Sequence, residues 1–360
     1  MQIFLIMMKS IAFIVLLSSF LFAENALDTF GVKKIYKTKE GSVEWNSAHW
    51  ANGVARGISW DGDPYDPLNW TDNRSDGNAD PFFQIDGNGV MQMRSVGPRF
   101  HINSLTSWAP KTQFYKNVEF TAYYRKISTS SEPAYGGMVL GVRSGPLGHA
   151  SSGGNNCDAS TYYARFRHDG KWDFEKEWKH PGSYYQSQGI LGKQTPLFNG
   201  NLLPVNEWIG MKFIVYNETE TSVKMELYID TLSHGDVSGG GVWEFVDSAT
   251  DDGTSWSGAS YGASAIEGCE TYNGLINAYD AILEGHGIAL MRTDGIENNV
   301  VQAEYKNVSV REIDFTKPFL PEEETGISKK INFKEKRKQK NIDMLGRKWK
   351  NASHHQVLVR

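Results

Sequence analysis

The chain is poor in cysteine and has no apolar run long enough to cross a membrane, and each shortage excludes a class of protein. Only Cys157 and Cys269 occur in 360 residues. Neither sits in a CxxC pair or beside a histidine, so the ligand spacing of a zinc site is missing. The markedly apolar stretch from Ile11 to Phe22 is about a dozen residues, too short for a transmembrane helix. It follows Lys9 and ends at Ala23 before Glu24, the pattern of a cleaved export leader, with Met8 as an alternative start. No stretch from about Phe30 to Ile313 repeats apolar residues at the 3.6-residue period of a long amphipathic helix. Excess positive charge is confined to residues 329–360, where eleven basic residues face two acidic ones for a net of +9. With Lys9 in the leader, the remaining body carries −15 of the total −5. An acidic body of this kind argues against nucleic-acid binding.

Export into an oxidising compartment would allow a single bridge between the two cysteines. Closing so long a loop is worth about 4 to 5 kcal/mol in the chain-entropy account. Two separate buried thiols are the alternative.

Short alternating runs fill the body, broken by Gly, Asn, Asp and Pro, and this pattern predicts an all-β antiparallel sandwich. One hairpin is expected from Phe82-Phe83-Gln84-Ile85 through Asp86-Gly87-Asn88-Gly89 into Val90-Met91-Gln92-Met93. A second joins Trp208–Tyr216 to Val223–Asp230 through a turn at Asn217 to Thr221. The closing strand, Val301 to Ile313, can send Ala303, Tyr305, Val308 and Val310 inward together only if a bulge falls near Asn307.

The stretch from Tyr162 to Trp178 predicts a hairpin with two unlike faces. A two-residue turn at Asp169-Gly170 would mix charged and apolar side chains on both. A type I turn over His168 and Asp169 with Gly170 as a left-handed bulge pairs Arg167 with Lys171 instead. Phe166 then faces Trp172 and Ala164 faces Phe174 on a buried side. Tyr163, Arg165, Arg167, Asp173, Glu175 and Glu177 share the other, where cross-strand ion pairing alone would give a solvated polar surface.

The Trp208–Tyr216 strand and its partner Val223-Lys224-Met225-Glu226-Leu227-Tyr228-Ile229-Asp230 resemble the late hairpin of concanavalin-like and laminin-G-like jelly rolls, over roughly residues 40–313. The resemblance implies a concanavalin-like jelly roll and a bias towards carbohydrate. The tail sequence Ile342-Asp343-Met344-Leu345-Gly346-Arg347-Lys348, followed by Val357-Leu358-Val359-Arg360, is similar to type IX-like secretion sorting domains, although Ser353-His354-His355-Gln356 replaces their Gly-x-Tyr. The expected organisation is a signal peptide over 1–23, a jelly-roll domain over 24–315, a linker over 316–328 marked by Pro318, Pro321 and Glu322 to Glu324, and a basic tail over 329–360.

Three chemistries compete for the charged face. Alternation in Arg99-Phe100-His101-Ile102-Asn103 turns Arg99, His101 and Asn103 away from the core, and Val139-Leu140-Gly141-Val142-Arg143 does the same for Arg143, with Gly141 leaving room beside it. If these strands share a sheet with the Tyr163 hairpin, the face suits β-elimination of a uronate-containing glycan. Arg and Asn neutralise the sugar carboxylate, a base removes the C5 proton, and an acid protonates the leaving oxygen. This resembles jelly-roll alginate-lyase-like enzymes, and the resemblance implies His101 and Tyr163 as the acid/base pair, with Arg99, Asn103, Arg143, Arg165, Arg167, Asp173, Glu175 and Glu177 around the substrate. Here the order is Arg99-x-His101-x-Asn103, and the Lys-x-Gly-x-Tyr pattern of that family is absent. Asp173-x-Glu175-x-Glu177 alternatively resembles the Glu-x-Asp-x-Glu strand of concanavalin-like retaining glycosidases, which would make Glu175 and Glu177 the acting carboxylates. Alternate strand residues stand about 6.6 Å apart at Cα, within reach of the separations that glycosidases use.

The third possibility is a non-catalytic carbohydrate-binding module. Trp45, Trp50, Trp60, Trp70 and Trp108 crowd the N-terminal part, and in a sandwich most of them belong to the core. No cofactor is required by any of these readings. Structural calcium is conceivable at Asp61, Asp63, Asp66 and the Asp72 to Asp80 run, although Arg74 and the lack of a closing Glu break the EF-hand order. The expected protein is secreted or cell-surface, engages polysaccharide, and has no stable membrane insertion after leader removal.

Overall fold

In the computed structural model the described residues are 26–42, 44–58, 62–66, 69–72, 83–94, 99–102, 104–106, 109–110, 115–127, 136–144, 160–177, 183–185, 196–198, 200, 202–253, 259–260, 280–284, 287–294 and 301–319. The chain divides into two units, Met1–Leu320 and Pro321–Arg360. The expected leader, both cysteines, Asn103 and the basic tail lie outside the described residues.

The strands in chain order are β1 (Tyr36–Thr38), β2 (Trp45–Asn46), β3 (Arg56–Ile58), β4 (Asn69–Asp72), β5 (Phe83–Ile85), β6 (Met91–Arg94), β7 (Arg99–Ile102), β8 (Ser104–Thr106), β9 (Ala109–Pro110) and β10 (Val118–Lys126). They continue as β11 (Gly137–Ser144), β12 (Thr161–Arg167), β13 (Trp172–Glu177), β14 (Ser183–Tyr185), β15 (Trp208–Asn217), β16 (Val223–Asp230), β17 (Glu244–Asp251), β18 (Ala259–Ser260), β19 (Ile288–Asp294) and β20 (Val301–Pro318). Among the described residues the only helix is one 3-10 turn at Ser47–Ala51, capped by the Asn46 side chain.

Two large antiparallel sheets result. The first runs β17-β16-β15-β10-β20-β6-β5-β3, with β1 and β2 also pairing to β20, and the second runs β18-β14-β13-β12-β11-β19-β7-β4. Apolar side chains at alternate positions of both, among them Phe100, Leu140, Phe166 and Phe174 from the second and Phe120, Phe213, Leu227 and Val310 from the first, form one buried core. This is the antiparallel β-sandwich that the alternation predicts. Trp45 and Trp50 belong to that core.

Both expected hairpins form, with Gln84 opposite Gln92 and Asn217 opposite Val223. The bulge in β20 also falls where expected. Asn307 takes a left-handed φ of 49°, the register against β10 skips there, and Ala303, Tyr305, Val308 and Val310 are all fully buried. β20 continues to Pro318, past the expected start of the linker at 316, because Tyr36 pairs with Pro318 at its end.

On the far side of the first sheet the N-terminal segment is clasped by a buried acid. Glu119 accepts the backbone N–H groups of Ile35 and Tyr36 at 3.1–3.3 Å, the Lys212 ammonium at 3.1 Å and the Arg311 guanidinium at 2.5 Å. Around it Ile35, Tyr36, Ile214, Tyr228 and Ile313 make a second small apolar cluster.

Candidate functional site

The β12–β13 hairpin adopts the bulged register. Phe166 pairs with Trp172, Ala164 with Phe174, Arg165 with Asp173 and Tyr163 with Glu175. The Arg167 N–H donates to the Lys171 carbonyl at 2.9 Å, and Gly170 has φ 75°, a conformation glycine adopts without steric cost. Phe166 and Phe174 are buried as expected, whereas Trp172 is only half-buried because its indole N–H reaches out to Asp247 at 2.8 Å.

Cross-strand registers extend the charged face over five strands. One row runs His101 (β7), Leu290 (β19), Gly141 (β11), Tyr163 (β12) and Glu175 (β13). The next runs Arg99, Arg292, Val139, Arg165 and Asp173. Between the charges lies a small apolar floor of Val139, Tyr163 and Leu290.

This face is not the solvated surface that ion pairing alone would produce. Arg99, His101, Tyr163, Arg165, Arg167, Asp173, Glu175, Glu177 and Arg292 are each less than a tenth exposed. Buried charges persist only when matched, and Arg165, Arg167 and Arg292 are. Arg165 donates to both Asp173 oxygens at 3.0 and 3.1 Å and to Asp294 at 2.8 Å. Arg167 bridges Asp169 and Asp173 at 3.0–3.2 Å. Arg292 pairs with Asp294 at 3.0 Å. Burial opposes ionisation of Asp294, but Arg292, Arg165 and Arg99 outweigh it and hold that carboxyl below its usual range.

Tyr163 is the centre of the face. A Cβ on Gly141 would come within 2.8 Å of the Tyr163 ring and 3.0 Å of Leu290 Cγ, so the ring leans across β11 towards β19 through space that only glycine leaves. The Arg292 guanidinium carbon lies 4.4 Å from the ring centroid, a cation–π contact. The hydroxyl donates to Glu177 at 3.1 Å. Burial, and then the Glu177 charge, raise the phenol well above its ordinary value.

Glu175 differs from its acidic neighbours. Its Oε2 accepts no hydrogen bond, standing 3.6 Å from Arg165 and 3.7 Å from Arg292. Burial is the largest influence on it and, with the Glu177 and Asp294 charges, raises its carboxyl in spite of the two arginines.

The structure does not bring all the expected residues together. His101 and Tyr163 belong to strands three spacings apart, about 14 Å at the backbone. His101 is fully buried, and burial followed by the Arg99 charge pushes its imidazole down to about 3. Arg143 leaves the face altogether. It takes φ 55° where the β11–β19 register skips between Gly141 and Ser144, and its guanidinium donates to the carbonyls of Lys116 at 2.8 Å and Ile282 at 2.6 Å. Left-handed backbone rotates the side chain out of the strand's alternation, so the expectation for Arg143 fails.

Sequence reasoning misses Arg292 and Asp294. The cue is present, since Ile288-Ala289-Leu290-Met291-Arg292-Thr293-Asp294 alternates with Ala289 and Met291 in the core and places both charges on the face of Leu290. At the expected calcium positions Asp63 is held by Arg56 at 2.7 and 2.5 Å and Asp66 by the Trp45 indole at 2.7 Å. Among the described residues no group of three metal-ligating side chains is arranged to hold an ion.

No protein-family model and no curated protein matches the chain. Among solved structures it is similar to the receptor-binding domain of botulinum neurotoxin D (10% identity, TM-score 0.33, covering 74% of this chain and 50% of that one). It is also similar to arcelin-5, a lectin-like defense protein from Phaseolus vulgaris (9%, 0.35, 75% and 96%), and to the marine PL-14 alginate lyase from Aplysia kurodai (10%, 0.32, 68% and 89%). The chain spans about half the length of the neurotoxin domain it matches. Likenesses of this size assign no function.

Proposed function

We propose that this protein engages a polysaccharide on the outer face of the second sheet and breaks it beside a uronate by β-elimination. The observation that carries the reading is Tyr163, which leans over Gly141 with Arg292 on its ring and an apolar floor beside it. Flat apolar surface rimmed by fixed hydrogen-bonding groups is what a sugar ring needs. Three strand spacings, about 14 Å at the backbone, separate Tyr163 from the strand bearing His101, the span that one sugar and the two side chains reaching towards it must bridge. A phenol whose pKa is raised keeps the proton that a leaving oxygen requires. The lowered imidazole of His101 stays neutral, and a uronate carboxylate beside it would raise its basicity. Arg99, two residues before His101 on the same face of β7, is the group to meet that carboxylate. Export to the cell surface or beyond, expected from the leader pattern, belongs to the same proposal.

One observation favours a second reading. Glu175 retains its proton more readily than an ordinary carboxyl, as the general acid of a glycosidase does, and Glu177 is two residues along the same strand.

A single assay separates the readings. The protein is incubated with alginate, glucuronan, pectate, xylan and β-glucan while unsaturated ends and reducing ends are both followed. Elimination gives unsaturated ends, lowered by on the order of 10² to 10⁴ in His101→Ala and Tyr163→Phe with affinity kept within about tenfold. Reducing ends without unsaturation, lost in Glu177→Gln, would mean hydrolysis. Binding without turnover on every polymer would mean a binding module, and no binding to any of them would overturn the proposal.

A further inference from the structure

Resting on the reading that a polymer lies across Tyr163, we infer that the sugar on the Glu175 side of Tyr163 is uncharged, so that the substrate class is a copolymer joining a uronate to a neutral, hydroxyl-rich sugar rather than a polymer of uronates alone. The register orders the groups across the sheet as His101, Leu290, Gly141, Tyr163, Glu175. If Tyr163 serves the oxygen between two sugars, the uronate lies towards His101 and its neighbour over Glu175, one strand spacing of about 4.8 Å further on.

Glu175 selects what that neighbour can be. Its side chain is more than nine-tenths buried, and Oε2 accepts no hydrogen bond. The guanidinium nitrogens at 3.6 and 3.7 Å are beyond hydrogen-bond range. A carboxylate only accepts, so a sugar hydroxyl completes it. A second carboxylate brings no donor, and its charge would add to the burial and to the Glu177 and Asp294 charges that already oppose ionisation of Glu175. Nor do the nearby cations offset the repulsion. Arg165 is committed to Asp173 and Asp294, and Arg292 to Asp294. Positive charge on this side of Tyr163 is already matched by the protein's own acids.

The test compares polymers that share a uronate and differ in its neighbour. Hyaluronan and unsulfated chondroitin alternate glucuronate with a neutral amino sugar, whereas glucuronan and alginate are uronate throughout. With chain lengths matched, affinity for the wild-type protein is expected to be at least about tenfold higher for the alternating pair. Glu175→Gln, which removes the charge and keeps an acceptor oxygen, is expected to narrow the ratio to within about threefold by improving the all-uronate polymers. Equal or tighter wild-type binding of glucuronan or alginate would overturn the inference while leaving β-elimination standing, and that comparison needs no variant. An unchanged ratio in a folded Glu175→Gln protein would overturn it too, as would loss of turnover on every polymer, which would make Glu175 an acid or base. If none of the four is bound, the reading on which the inference rests fails with it.

Discussion

An imidazole removed from water stays neutral unless an anion faces it, and the charge nearest His101 in register terms is Arg99, a cation. Its folded value of about 3 lies well below the ~6.5 of an unfolded histidine. Between these two values the unfolded chain binds a proton that the native protein refuses, so stability rises with pH across this window and is lost as pH falls from about 6.5 towards 3. The contribution is on the order of 4 kcal/mol at neutral pH. His101→Gln should therefore flatten the decline in urea-unfolding free energy between pH 7 and pH 4. A variant that declines as steeply as the wild type would assign the acid sensitivity elsewhere, His168 being the next candidate with its imidazole lowered to about 4 by burial and then by Lys126.

At the scale of the strand, Gly141 lets three neighbours share one volume. Gly141→Ala forces the Tyr163 ring and Leu290 apart, and overpacking of this kind costs about 1–3 kcal/mol. If Tyr163 takes part in the reaction as proposed, the expected outcome is a lower melting temperature together with a fall in turnover larger than the fall in polymer affinity, because proton transfer tolerates less displacement of the hydroxyl than binding does. Equal losses in both would show that Tyr163 only binds. Strand alternation made much of this legible in advance. The β12–β13 register follows from keeping like side chains on like faces, although the charged face proves buried, and what makes the register tolerable is that Arg165, Arg167, Asp173 and Asp294 cancel one another. Asn307 and Arg143 mark the boundary of what sequence shows. Both take left-handed backbone, but asparagine is a residue that tolerates it and arginine is not. The reason for Arg143 lies in carbonyls of residues 116 and 282, which no local pattern reveals. Arg292 and Asp294 carry the right alternation, but their partners Arg165 and Glu175 are more than a hundred residues earlier in the chain.

Among the described residues the two sheets bury ions on both outer faces; the second carries the proposed site, and on the first Glu119 holds Lys212 and Arg311. Removing the Glu119 charge leaves Lys212 and Arg311 buried without their acid, a loss of about 3–5 kcal/mol for a broken buried pair. Glu119→Gln should lower the melting temperature sharply and leave the polymer preferences of any folded fraction unchanged. A Gln variant as stable as wild type would mean the clasp on Ile35 and Tyr36 contributes nothing. The body's charge of −15 is likewise a poor guide to the site, because the cluster around Tyr163 balances its own charges.

The placing of β20 governs when the protein can fold at all. This last described strand lies between β10 and β6 and also carries β1 and β2, so the earliest part of the described chain finds its partner only after about 300 residues have been made. Such remote pairing is slow, since a long loop must close before any hydrogen bond rewards it. Until β20 arrives the first sheet has only two separate parts, β17-β16-β15-β10 and β6-β5-β3, whose facing edges wait unpaired. A chain that stops short of β20 would lack the keystone rather than a tail. Arrival of β20, not emergence of the first half of the chain, is the event that joins the two parts of this sheet.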